Sequence, residues 1–109
     1  MFGLAALADR VWPMVEHKSR PVRDAAARTL SKLGKAALPR ASELLRHPRA
    51  EVRLSATLLV ERVGTAAAWE LLRDRLQVEP ARTVQERMRA ALVMAPPPRH
   101  VQPRKRKES

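Results

Sequence analysis

The sequence predicts an all-α protein, a short α-solenoid of about three helical hairpins. One stretch recurs: PVRDAAARTLSKLG at residues 21–34 returns as EVRLSATLLVERVG at 51–64, and a fainter copy, TVQERMRAALVMAP, begins at 83. The offsets between the copies are 30 and 32 residues, a spacing typical of repeated supersecondary units. Aromatic residues make up only 3% of the chain and tyrosine is absent, which disfavours a β-sandwich.

Each copy has the period of an amphipathic helix, because its apolar and small residues recur at i, i+3, i+4, i+7 and i+11. Gly34 and Gly64 follow directly, where a left-handed position ends many helices. The third copy predicts a helix over residues 81–95. The inward residues are predicted to be Val22, Ala25, Ala26, Thr29 and Leu33 in the first copy, and Val52, Ser55, Ala56, Leu59 and Val63 in the second.

A second kind of helix is predicted between the copies. Pro39 suits a first helical turn and Thr65 can cap a helix start. Prolines in the turns HPRA (47–50) and VEPAR (78–82) separate this helix from the next copy, so each period is one helical hairpin. The inward residues are predicted to be Leu38, Ala41, Leu44 and Leu45, then Ala68, Leu71, Leu72 and Leu76.

The stretches on either side of the copies differ. GLAALADRVWPMVEH (3–17) predicts the second helix of an earlier unit, kinked or split at Pro13. Residues 1–95 are therefore assigned to the solenoid and residues 96–109, PPPRHVQPRKRKES, to a disordered, proline-rich basic tail. The last predicted helix has no following partner, and we expect either a piece of a longer array or a homodimer that covers an apolar end. The inward residues of the first helix are predicted to be Leu4, Leu7, Val11 and Val15.

The net charge is +11, and residues 96–109 hold five bases against one acid. Such a field attracts nucleic acid or acidic protein surfaces. The absence of cysteine excludes disulfides and thiolate chemistry. No apolar run approaches the ~20 residues of a membrane span and no export signal is recognisable, so a cytoplasmic protein is predicted. Arginine outnumbers lysine 17 to 5, a bias typical of bacterial genes rich in G and C.

The run RHPRAEVRLSATLLVERVG (46–64), with its turn proline, Val-Arg pair, small residue and closing glycine, resembles a HEAT repeat. The period is similar to that of the short HEAT-like class named after the phycobilin lyases, and the resemblance covers residues 3–95. The third unit departs from it with Val84-Gln85. The resemblance implies a right-handed solenoid, with the copied helices on one face and the intervening helices on the other, concave face. It also implies protein binding, although some members bind nucleic acid and others belong to bilin lyases.

Arg23 and Arg53 occupy the arginine of the repeated Val-Arg pair. The resemblance implies that they stabilise the repeat, together with Gly34 and Gly64, by reaching a turn carbonyl or a carboxylate. The alternative is a phosphate-binding role. The nearby carboxylates that we consider as their partners are Asp24, Glu51 and Glu61.

Leu54 and Leu58 lie off the main apolar face of their helix. Their position predicts either that the two leucines pack against both adjacent repeats or that they form a small apolar contact site. Trp12 and Trp69 fall near apolar stripes, which favours core packing over base stacking. The residues predicted to bind a partner are Arg40, Glu43, Leu54, Leu58, Arg73 and Arg75.

No catalytic constellation accompanies the repeat. His17, His47 and His100 stand singly, as turn and tail residues, and no pattern indicates a metal or cofactor site. We therefore expect a non-enzymatic protein-interaction module whose partner is acidic. The alternative is a nucleic-acid-binding protein that uses Arg40, Arg73, Arg75 and the tail, with affinity that falls steeply with salt.

Overall fold

The computed structural model describes residues 3–97, and this part of the chain is helical without strands. Two 3-10 helices, Trp12–Glu16 and Ser31–Ala37, interrupt the sequence of α-helices. The α-helices are α1 Leu4–Val11, α2 Arg20–Leu30, α3 Leu38–Leu44, α4 Ala50–Val63, α5 Ala66–Leu76 and α6 Arg82–Val93.

The helices that carry the repeated stretch lie side by side. Helix α4 is central and packs against α2 on one flank and against α6 on the other. The intervening helices fill the spaces behind them, since α3 packs against α4, and α5 packs against both α4 and α6. The prediction of a short solenoid of helical hairpins is thus confirmed.

Local signals set the boundary between α4 and α5. Gly64 has φ 63° and ψ 18°, the left-handed conformation that ends α4. The Thr65 hydroxyl then accepts a hydrogen bond of 3.2 Å from the backbone N–H of Ala68 and caps α5. Pro39 lies in the first turn of α3, where its missing N–H costs nothing.

The end of α2 differs from the prediction. The α-helix stops at Leu30 and continues as a 3-10 helix, whereas the periodicity extended it to Leu33. The Ser31 hydroxyl donates a 2.6 Å hydrogen bond to the carbonyl of Arg28 and so competes for a helical acceptor. Gly34 has φ 63° but ψ −140°, outside the left-handed helical region, so it turns the chain differently from Gly64.

The inward face of α2 was also predicted wrongly in part. Ala25 is exposed, whereas Ala27 and Leu30 are fully buried. The cause is that α2 packs on two sides, against the first 3-10 helix and against α4. In α4 the predicted face is confirmed: Val52, Ser55, Ala56 and Leu59 are buried and Val63 is half-buried.

The proline at position 13 ends α1, as predicted, because the α-helix stops at Val11 and a 3-10 helix follows. Leu7 is 52% exposed, contrary to the prediction that it points inward. Ala8 and Trp12, one turn apart, take the core positions instead.

Helix α6 ends at Val93, and Pro96 and Pro97 follow it. Most of the predicted basic tail, residues 98–109, lies outside the described residues. Between residues 3 and 97, none of the helices combines the length and the apolar character needed to cross a membrane.

Candidate functional site

Each copied helix begins at a turn that is closed in the same way. We call these the entry turns, residues 17–19, 47–49 and 79–81. The Nδ1 atom of His17 accepts the N–H of Ser19 at 2.9 Å, and Nδ1 of His47 accepts the N–H of Arg49 at 3.0 Å. In the third turn a carboxylate oxygen of Glu79 accepts a backbone N–H at 2.9 Å. The first residue of each turn therefore caps a backbone N–H group that precedes the helix.

A side chain from each copied helix then donates hydrogen bonds to backbone carbonyls of the same turn. The Nη1 atom of Arg23 donates to the carbonyls of His17 and Lys18, at 2.9 and 3.0 Å. Arg53 repeats this in the second turn, at 2.6 and 3.0 Å. Gln85 donates to the Glu79 carbonyl at 2.6 Å, so the residue that departs from the sequence pattern still makes the repeated contact.

Arg53 also reaches the next entry turn through a buried ion pair. Its Nε lies 3.0 and 3.2 Å from the two carboxylate oxygens of Glu79, and its Nη2 lies 3.0 Å from one of them. The Glu79 side chain is fully buried and that of Arg53 is 9% exposed. The guanidinium thus joins its own turn to the following one by opposite edges.

The carboxylates predicted as partners of the two arginines were the wrong ones. Asp24 accepts from Arg20 and from the hydroxyl of Ser55, at 3.4 and 2.9 Å. Glu51 pairs with Arg49 and Glu61 with Arg87. The correct partner, Glu79, lies 26 residues beyond Arg53, in the turn of the next unit.

Arg23 lacks the second half of this arrangement. The residue is 6% exposed, and its Nε is buried without a hydrogen-bond partner among the described residues. The repeat places His47 where Arg53 meets Glu79, and the second ring nitrogen of His47 lies instead 3.1 Å from Glu16. The edge of Arg23 that corresponds to the carboxylate-binding edge of Arg53 is therefore unoccupied.

A groove lies across the three copied helices, and we call it the α4 groove. Leu54, Ser55 and Leu58 of α4 line its floor, between walls from α2 and α6, and its volume is about 200 Å³. Both leucines are half-buried. The neighbouring helices flank both leucines, as the first hypothesis predicts, and the second hypothesis, an apolar contact site, stays a prediction.

The walls of the α4 groove are charged. Arg20, Arg23, Arg28 and Arg87 contribute four positive charges, against the carboxylates of Asp24 and Glu51. The backbone N–H of Glu51 and the Arg49 side chain, by hydrogen bonding, hold the pKa of the Glu51 carboxyl below its ordinary value.

A second cleft, of about 330 Å³, lies between α1 and α3. The guanidinium of Arg40 sits 5.3 Å from the ring centroid of Trp12, within cation–π range. Asp9 and Glu43 also line this α1–α3 cleft. Of the predicted partner-binding residues, Arg40 and Glu43 thus lie here, apart from Leu54 and Leu58.

The remaining two candidates lie in neither depression. Arg73 donates a 2.6 Å hydrogen bond to the carbonyl of Pro96, and the Nε of Arg75 is buried without a partner among the described residues. Trp69 is buried, as is Trp12, so the prediction of core packing for the two indoles is confirmed. No group of three or more His, Cys, Asp or Glu residues in the described part could hold a metal ion.

The sequence analysis placed His17 and His47 in turns, as the structure has them, but missed that these residues and Glu79 are equivalent and cap the entry turns, although the repeat contained the signal. His17, His47 and Glu79 stand five places before Val22, Val52 and Val84, at the same offsets as the copies themselves. Extending the alignment by those five positions would have placed the three residues in register.

These observations define a protein of tandem helical hairpins, stacked side by side and joined through equivalent turns. A family model described as HEAT repeats matches residues 7–93, and the chain therefore belongs to the HEAT repeat family. No match was found among curated proteins or among solved structures.

Proposed function

We propose that the protein is a non-enzymatic interaction module that binds a protein partner in the α4 groove. HEAT repeats commonly serve as scaffolds for protein interactions. The observation that carries the proposal is the position of Leu54 and Leu58, half-buried on the floor of a groove with charged walls. Protein–protein interfaces have an apolar core and a polar rim. The α4 groove is similar, with its two leucines on the floor and charged residues on its walls.

The size of the groove supports a protein partner over a small-molecule substrate. Sites for small ligands usually measure about 300–1,000 Å³, whereas the α4 groove has about 200 Å³. This volume suits one or two side chains of a larger partner. The carboxylates beside it are bonded within the chain, Asp24 to Arg20 and Ser55, and Glu51 to Arg49, which favours binding over acid–base catalysis.

The charge pattern favours protein over nucleic acid. A groove that follows a phosphate backbone carries one sign of charge and adds stacking aromatics. In the α4 groove Asp24 and Glu51 interrupt the arginines, and in the α1–α3 cleft Asp9 and Glu43 do so. The two tryptophans are buried, which limits stacking on bases.

The test is selection of a random linear peptide library displayed on phage against the immobilised full chain. We expect enrichment of a recurrent peptide class that binds the purified protein in fluorescence anisotropy. Anisotropy of a random-sequence DNA duplex, with the full chain and with a chain ending at Ala95, provides the comparison. Binding of DNA by the shorter chain at physiological salt, without enrichment of any peptide, would refute the proposal in favour of nucleic acid.

A further inference from the structure

We propose that the segment bound in the α4 groove is acidic and aliphatic: it packs one or two aliphatic side chains on Leu54 and Leu58 and presents a carboxylate to Arg28. This inference rests on the proposed function and specifies the chemistry of the partner. It follows from the apolar floor, the unpaired Arg28 and the charge of the rest of the chain.

The floor determines the apolar part of the ligand. Leu54 and Leu58 stand one helical turn apart on α4, and the groove extends from Glu51 to Leu58 along this helix. At 1.5 Å per residue this is roughly 10 Å. An extended strand covers that distance in about three residues, so the groove accommodates a short segment with few side chains.

The walls of the groove determine the charged part of the ligand. Arg20 and Arg87 are already paired, with Asp24 and Glu61 respectively. The guanidinium of Arg28 makes no hydrogen bond or ion pair within the described residues and is exposed at the groove. It is the wall arginine that can pair with a ligand without breaking an internal contact.

Arg23 adds a second positive charge to the wall of the groove. Its side chain is more than nine-tenths buried, it lines the groove, and its Nε has no partner between residues 3 and 97. Arg53 shows what this edge of the guanidinium can bind, because there it holds both carboxylate oxygens of Glu79. A buried donor without a partner costs roughly 1–3 kcal/mol. Because this Nε is closed to solvent, only a group inside the protein can satisfy it, and Arg23 acts on a ligand in the groove through its charge.

Net charge disfavours the two occupants that the chain itself could supply. The groove has two more arginines than carboxylates, and residues 96–109 carry five bases against one acid. The tail thus has a net charge of the same sign as the groove, which disfavours its binding there. A second copy brings its own net charge of +11, whereas an acidic partner is attracted at long range.

The test uses the peptides selected on the full chain. A labelled peptide of the enriched consensus is titrated with the wild type and with variants R28E, R28K and L58A. R62E is the matched control, since Arg62 is an exposed arginine of α4 outside the groove. Circular dichroism establishes that each variant is folded, and R28E changes only an exposed side chain, so it remains informative if L58A is destabilised.

We expect the consensus to combine an aliphatic residue with Asp or Glu within about three positions, the length the groove accommodates. R28E should raise the Kd about tenfold or more, because it places like charges together, whereas R28K and R62E should change it about twofold or less. A basic or uncharged consensus would overturn the inference, and so would equal effects of R28E and R62E; both leave the interaction function standing. If the selection enriches no peptide, the inference and the proposed function fail together.

Discussion

The buried ion pair between Arg53 and Glu79 gives the sharpest prediction about stability. In E79Q the side chain keeps its shape and one oxygen that can still accept the N–H of Ala81, but the guanidinium loses its counter-charge. The Glu79 side chain is fully buried and makes three contacts of 3.0–3.2 Å with Arg53. Removing one partner of a buried pair costs about 3–5 kcal/mol, a large fraction of the ~5–15 kcal/mol that stabilises a typical domain.

The assay is urea unfolding followed by circular dichroism, with thermal unfolding as a second measure. We expect E79Q to lower the free energy of unfolding by about 3 kcal/mol and Tm by more than about 10 °C. The matched control is E86Q, because the Arg82–Glu86 pair is 87% and 59% exposed and should contribute about 0.5 kcal/mol or less. A double-mutant cycle with R53Q should give a coupling energy of at least about 2 kcal/mol. If E79Q and E86Q cost the same, the claim that this pair joins the units is wrong.

Two further predictions concern the repeated positions. In an E16Q background, H47E should stabilise the protein by about 1 kcal/mol. The new carboxylate can accept hydrogen bonds from both the turn N–H and the unpartnered Nε of Arg23. Urea unfolding measures the change in stability, and a loss of stability would contradict the prediction. G64N should be tolerated, at a cost of about 1 kcal/mol or less, since asparagine adopts the left-handed conformation. G34N should cost about 2 kcal/mol or more, because φ 63° with ψ −140° favours glycine alone; equal melting temperatures for the two variants would show that the backbone at Gly34 is not restrictive.

Most of the fold could be predicted because its signals are local. Pro39, Gly64 and Thr65 act within one turn of their own positions, so sequence spacing suffices to place helix ends. The buried face of α2 was harder to predict, because it depends on packing against the preceding 3-10 helix as well as against α4. Ala25 and Ala27 are chemically identical, so residue type alone does not indicate which of them is buried.

The candidate site was less predictable, for a related reason. The anomalous leucines of α4 could be recognised from the repeat alone, but the α4 groove requires α2 and α6 to flank them. The partner of Arg53 was missed because the nearer carboxylates were considered first. The charge of Arg53 is neutralised by Glu79 of the following unit, so a search for the partner within one repeat unit does not find it.

The residue that binds the entry turn is arginine in the first two units and glutamine in the third. This difference makes the order of the units along the chain matter. An arginine at this position brings a charge into the interior. Arg53 finds a carboxylate, Glu79, at the first residue of the next entry turn, whereas the corresponding residue for Arg23 is His47, and the Nε of Arg23 has no partner among the described residues. Gln85 makes the same bond to its own turn as a neutral amide and requires no carboxylate from a neighbour. A designer who wishes to permute or extend this array should therefore treat the two positions as a matched pair across each junction. A unit with this arginine, placed before a unit without the carboxylate, would repeat the state of Arg23 and lose the stabilisation that Glu79 gives to Arg53.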